Sequence, residues 1–314
     1  MRYPSPALAS ARSRTGSVLA ILLVLSVSTG CQNNRDVAAK FPTQGPSIRP
    51  AKLGGDSDLT RQVAAATGIQ LVPISAGTFL MGSPLEEAGH VANEGPQTKV
   101  TLTRDFFLGA TVVTQAQWTA LMGVNPSVFK GDDRPVERVS WNDAIDFCGK
   151  LTERERAAGR LPAGFIYTLP TEAQWEYACR AGTTGPRAGD LDAMVWYTRN
   201  SGNTTHPVAT KQPNAWGLYD MNGNVMQWCL DKTGPYPGGA VVDPVGSAFG
   251  TSHILRGGSW NGDPALCRSA SRVSNAPAVR YNRVGFRVAL CAVTADQVAP
   301  PPVSGPDRLE HFSP

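Results

Sequence analysis

Hydrophobic and polar positions divide the chain into a central span with recurring periods and two flanks without any. Thr114 with Gln117 has the spacing of a capping box, and Trp118, Leu121 and Met122 then recur on one helical face until Gly123. Ser140 opens a second helix, in which Ala144, Phe147, Cys148 and Leu151 fall at helical spacing until the polar stretch near Gly159. Thr171 with Gln174 opens a third, with Trp175 and Ala178 facing inward. Pro170 keeps the residue before it out of helical geometry, and Gly182 is a natural left-handed stop. Short, punctuated apolar runs predict strands over residues 69–74, 78–81, 100–108, 253–256 and 285–290. Between Gly182 and Ser252 no period holds, yet Trp, Asn, Gly and Asp are abundant, which predicts ordered loops around an internal scaffold.

The flanks read differently. Arg2, Arg12 and Arg14 precede an apolar run over 18–27, too short to span a membrane comfortably, and Ser28-Thr29-Gly30-Cys31 follows. This is the layout of an export signal over 1–31. Small residues leading into a cysteine look like a lipoprotein cleavage site, with Cys31 as the lipidated first residue of the mature chain. Ser28 stands where Leu is usual, and an ordinary cleaved signal is the alternative. Residues 32–63 read as a flexible tether and 293–314 as a disordered Pro-rich tail, so the folded domain is 64–292, which holds every Trp. The expected location is the bacterial cell envelope, facing the periplasm or the exterior, with membrane contact through the lipid anchor.

Composition supports a loop-rich domain: the 314 residues include 32 Gly, 25 Pro and 7 Trp, which favours short strands and irregular connections over a helical bundle. A net charge of +4 with no basic stripe gives no reason to expect a nucleic-acid partner. In an oxidising compartment Cys148, Cys179, Cys229, Cys267 and Cys291 default to disulfides, and their odd number leaves at least one thiol over. His90, His206 and His253 lack metal-ligand spacing. Glu86, Glu87 and Glu94 read as solvated loop charges, and Arg268, Arg272, Arg280, Arg283 and Arg287 as surface arginines, some paired with Asp.

Several motifs stand in order: Met81-Gly82-Ser83; Val139-Ser140-Trp141-Asn142-Asp143-Ala144; Leu169-Pro170-Thr171-Glu172-Ala173-Gln174-Trp175-Glu176-Tyr177; Gly217-Leu218-Tyr219-Asp220-Met221-Asn222-Gly223-Asn224-Val225; and Arg256-Gly257-Gly258-Ser259-Trp260 with Gly285-Phe286-Arg287. Together they resemble the formylglycine-generating-enzyme, or sulfatase-modifying-factor, family over about residues 71–290. The resemblance implies an α+β fold, a variant of the C-type-lectin-like architecture with few helices, short strands and much ordered loop. It also implies a calcium site built by Asp220 and Gln227 with the carbonyls of Gly223 and Val225. Hard oxygen ligands of this kind suit calcium, although sulfatase activators usually carry Asn and Glu at the two side-chain positions. A turn closed by Asx hydrogen bonds without an ion is the alternative.

Enzymes of this family convert a sulfatase cysteine to an aldehyde at a copper centre held by two thiolates, which soft Cu(I) favours. Counting from Ser259, the two cysteine positions fall on Gly262 and Cys267, so only Cys267 is kept as a catalytic candidate beside Ser259. Leu266 stands where those enzymes commonly have Tyr, and Met226 where they commonly have Trp. Copper is therefore not expected. Disulfides Cys229–Cys267 and Cys148–Cys179, with Cys291 free, are the economical pairing. The expected function is an exported family member without standard sulfatase-activating oxidase activity. One alternative is a cell-envelope module binding a protein or small molecule through a face of Trp260, Asn261, Asn275, Tyr281 and Asn282, a mix suited to adaptable contacts. Another is a periplasmic oxidative tailoring enzyme of the siderophore-maturation type.

Overall fold

The computed structural model describes residues 66–293, all within the second of the chain's two compact units, Pro46–Pro314. The capping boxes form as their spacing requires. Thr114, Ser140 and Thr171 each accept a hydrogen bond from the backbone N–H three residues on, and the side chains of Gln117, Asp143 and Gln174 accept one in return from the cap residue's N–H. Each cap satisfies N–H groups that a helix start leaves orphaned, worth about 1 kcal/mol. They open α1 (Gln115–Met122), α2 (Trp141–Ala157) and α3 (Glu172–Arg180). Helix α3 stops on Ala181, left-handed at φ 44°, one residue before Gly182 at φ 88°. A short α4 (Leu191–Met194) starts on Asp190, whose side chain accepts from the Ala193 N–H.

The strands in chain order are β1 (Leu71–Ile74), β2 (Gly77–Met81), β3 (Thr98–Leu102), β4 (Phe106–Gly109), β5 (Phe165–Thr168) and β6 (Met226–Lys232). They continue with β7 (Ala240–Val242), β8 (His253–Arg256), β9 (Arg272–Asn275), β10 (Val284–Gly285) and β11 (Ala289–Ala292). Three sheets result, in the orders β1-β4-β11-β5, β10-β6-β8-β9 and β2-β3-β7. Mostly antiparallel pairing of short strands beside a few helices is the α+β class that the family resemblance implies.

Two expected strands divide. The run 100–108 is broken at Thr103-Arg104-Asp105, where Asp105 Oδ1 accepts from the Ala76 N–H; Val100 pairs with Phe79 in one sheet, and Phe107 with Pro73 and Leu290 in another. The run 285–290 divides likewise, Gly285 pairing parallel to Gln227 and Ala289 antiparallel to Leu108. Strand β6 is hidden from periodicity because Gln227, Trp228 and Cys229 are all buried, as in a central strand covered on both faces.

Two main cores fill the space between the sheets. In one, Phe147 of α2 stacks on Trp118 at 5.6 Å and meets Phe286 edge-on at 5.3 Å. In the other, Trp175 and Ala178 of α3 join Val100, Leu102 and Ile254. Fully burying a side chain of Phe147's size is worth on the order of 3 kcal/mol. The cysteines are divided between these clusters, and the expected disulfides do not form: Cys148, Cys179, Cys229, Cys267 and Cys291 are all free thiols. Cys148 lies in the first core, Cys229 in the second, and Cys267 against Val195 and Tyr197. Among the described residues no helix is long and apolar enough to cross a membrane.

Candidate functional site

Strand β8 delivers the chain from Arg256 into Gly257 and Gly258, at φ 96° and 70°. Neither position has room for a side chain, since a Cβ on Gly257 would lie 2.6 Å from the Met221 carbonyl and one on Gly258 2.7 Å from Cys267 Sγ. The turn that follows is tied to itself. Ser259 Oγ donates to Asn261 Oδ1 at 2.9 Å, Gly262 N–H donates to the Ser259 carbonyl at 2.8 Å, and Asp263 caps Ala265 at 2.8 Å.

This turn walls a cleft of about 340 Å³, whose other side is the edge strand β9 with Val273 and Asn275. Gly262, Leu266 and Met226, the departures from the family pattern counted around the two-cysteine site, all line it. Cys267 is not in the cleft wall: its thiol is fully buried behind Gly258, takes a hydrogen bond from the Ser259 N–H, and is pushed up to about 11 by burial. The ionisable groups of the wall are Asp263 and Arg283, the latter 5.0 Å from the exposed Tyr281 ring.

Of the five predicted face residues, Asn261 and Asn275 line the cleft. Trp260 is instead an anchor, 9% exposed, edge-on to Phe129 at 5.3 Å with its Nε1 donating to the Asn282 carbonyl at 3.0 Å. Sequence reasoning missed Ser271 and Val273 as cleft residues, because β9 was not foreseen. Arg272 to Asn275 pair residue for residue with the predicted strand 253–256, a long-range pairing that their own four-residue pattern does not mark.

The Asp220 turn is closed by protein groups. Asp220 Oδ2 accepts from the Ala209 N–H at 2.9 Å and Oδ1 from Asn224 Nδ2 at 3.3 Å. Gln227 Oε1 accepts from Trp175 Nε1 at 2.8 Å and from Arg287 Nε at 2.7 Å, while its amide donates to the Asp220 carbonyl at 2.8 Å. Arg287 is fully buried and also donates to the Gly109 and Tyr219 carbonyls at 2.7 Å. Desolvation holds its guanidinium down at about 10, still charged at neutral pH, and burial raises Asp220. Asp220 and Gln227 thus spend their side-chain oxygens on protein donors, with Arg287 one of the two on Gln227, and a single sealed thiol is not the pair that a two-thiolate copper centre needs.

Of the predicted surface arginines, Arg280 is exposed and paired with Asp143 as expected, whereas Arg268, Arg272 and Arg287 are buried. Arg268 is buried and holds Glu94 through both guanidinium nitrogens, at 2.6 and 2.9 Å, and Glu87 at 2.5 Å, so Glu94 is a buried partner rather than a solvated charge. The arginine's hydrogen bonds and charge outweigh burial and lower the Glu94 carboxyl. Behind the cleft floor runs an alternating ladder of Arg180, Glu176, Arg256, Glu172 and Arg272, each joined to the next. Arg272 grips Glu172 with two nitrogens, at 2.7 and 2.6 Å. The histidines make structural contacts: His90 bonds Ser83, and His206 and His253 stack on Trp196 and Trp141.

The chain is similar in sequence and fold to known proteins. A model of the sulfatase-modifying factor enzyme 1-like domain matches residues 57–292. Chaperone protein LppX of Paenibacillus barcinonensis is 35% identical over 219 residues, covering 54% of this chain and 78% of that protein. The formylglycine-generating enzyme of Streptomyces coelicolor is 35% identical over 206 residues, 59% of this chain and 60% of the enzyme, so less than two thirds of its length is spanned. Treponema denticola variable protein 1 superposes with a TM-score of 0.63 at 32% identity, over 70% of this chain and 94% of that one. A family model that spans most of the chain, and relatives about a third identical, place this chain in the formylglycine-generating-enzyme, or sulfatase-modifying-factor, family.

Proposed function

We propose that this chain is a family member without sulfatase-activating oxidase activity, whose cleft binds a protein segment or small ligand at the cell envelope. One observation carries the reading: Gly262, Leu266 and Met226 share the wall of a cleft from which the remaining thiol is sealed. With Gly262 in place of a cysteine there is no thiol in that wall to attack a substrate or hold soft metal. The wall instead offers amides, hydroxyls and aliphatic surface, a chemistry of recognition. A relative named as a chaperone protein supports a binding role. Export and lipidation at Cys31 rest on the sequence of 1–31, which lies outside the described residues. The siderophore-type tailoring alternative would need a reactive group in this wall, and Asp263 and Arg283 are its ionisable members.

Purified full chain incubated with copper and a sulfatase-type cysteine peptide is expected to leave the peptide mass unchanged, and formation of aldehyde would overturn the proposal. For the positive arm, a photo-cross-linking residue replacing Asn275 in the cell envelope is expected to give discrete adducts that one replacing the exposed Val124 does not.

A further inference from the structure

The cleft carries its charges unevenly. Its two ionisable lining residues, Asp263 and Arg283, stand apart, for no ion pair among the described residues includes either. Asp263 is engaged within the protein. Its Oδ1 accepts the Ala265 N–H at 2.8 Å, and the half-buried Arg187 donates to the carbonyls of Pro264 and Cys267 in the same turn. Arg283 is not engaged. Its guanidinium makes no hydrogen bond among the described residues and stands over the Tyr281 ring at 5.0 Å, so its donors are open to the cleft.

The surroundings add charge of the same sign. Exposed Arg199 follows Thr198, whose N–H bonds the Gly262 carbonyl at 3.2 Å, and exposed Arg138 donates its own N–H to the Tyr281 carbonyl at 3.0 Å. The neighbouring carboxylates have partners: Asp143 holds Arg280, Glu87 and Glu94 hold Arg268, and Glu172 holds Arg256 and Arg272. Glu86 is exposed in the loop before Glu87, outside the cleft wall. An open guanidinium in a positive field attracts a carboxylate, which it can grip with two donors.

The rest of the lining suits a peptide. Asn261 Nδ2 and the Asn275 amide make no hydrogen bond among the described residues, and an amide matches a peptide group donor for acceptor. Exposed Leu266 and Val273 set aliphatic surface beside them.

We propose that the cleft takes a peptide segment with an acidic side chain, whose carboxylate pairs with Arg283 while its apolar neighbours lie on Leu266 and Val273. This rests on the reading of the cleft as a binding site and names the chemistry of what it binds, a form of acidic-motif recognition by arginine.

The test is selection of random heptapeptides displayed on phage by the immobilised full chain. Bound peptides are expected to carry Asp and Glu at about five times their share in the input pool, the effect of one exposed ion pair. Arg283→Gln is expected to abolish that excess, Arg283→Lys to retain it, and high salt to reduce it. Arg104→Gln removes the same charge from the lining of a separate cavity and is expected to change nothing. Thermal unfolding checks that each variant is folded. Binding without an acidic excess, or an excess that Arg104→Gln also removes, would overturn the proposal and leave the cleft a binding site. Displacement of the peptides by millimolar succinate would reveal a site for small acids and overturn the peptide assignment. No enrichment by any form of the chain over bare support would overturn the binding reading as well.

Discussion

One missing side chain at Gly262 separates this cleft from a thiol pair. A Cβ placed there would lie 3.6 Å from Cys267 Sγ, and 3.1 and 3.2 Å from the Ser259 carbonyl and N–H, close enough that the turn gives by only a few tenths of an ångström. That spacing is compatible with two sulfurs meeting. Gly262→Cys is therefore expected to bind one equivalent of Cu(I) in competition with a colorimetric chelator under anaerobic conditions, while the parent chain binds none. Failure of the variant to bind would show that Cys267 cannot turn out from behind Gly258. The loss of the pair, with Leu266 and Met226, is legible in the sequence because it depends on spacing from Ser259 within a motif. The sealing of Cys267 is not, since Val195 and Tyr197, which cover it, are brought there only by the fold.

Helix α3 shows what elements add to residues. Its capping box reads directly from Thr171 and Gln174, because a cap is a local exchange of hydrogen bonds. The destinations of Glu172 and Glu176 do not, because their arginine partners on β8 and β9 arrive from strands whose pairing is set at long range. Removing one partner from such a buried pair leaves an uncompensated charge, a loss of about 3–5 kcal/mol. The helix start also rests on Asp231 of β6, whose Oδ2 accepts the Glu172 N–H at 2.8 Å. Burial, then the Glu172 charge, raises the Asp231 carboxyl to about 8. Between about pH 4, the ordinary carboxylate value, and pH 8 the folded chain holds a proton that the unfolded chain has lost, so this group makes stability fall as pH rises through that window. Asp231→Asn keeps the acceptor and removes the titration. Thermal unfolding is expected to show the parent losing Tm relative to this variant between pH 5 and pH 9; parallel curves would refute the assignment.

Across the whole molecule, the order of motifs gave the fold where periodicity gave only helices and fragments of strand. Three sheets built from strands of two to seven residues leave too little alternation to read, and β6 leaves none. What holds the centre together is charge inside protein, with Arg287 tying β4, the Asp220 turn and β6 through Gly109, Tyr219 and Gln227. An ion bound at a hundred times its Kd would add about 2.7 kcal/mol to stability. Excess chelator is accordingly expected to leave Tm unchanged, whereas a fall of several degrees would show that the folded chain binds calcium. The same buried framework separates two kinds of residue around the cleft. Trp260, Arg256 and Arg272 face inward and fix the backbone, while Asn261, Leu266, Val273 and Asn275 hang from it into the opening. Exchanging the second group leaves every contact of the first intact. The lining of the opening can thus change chemistry at small cost to folding, because the groups that set the backbone's course are not the ones that face into it.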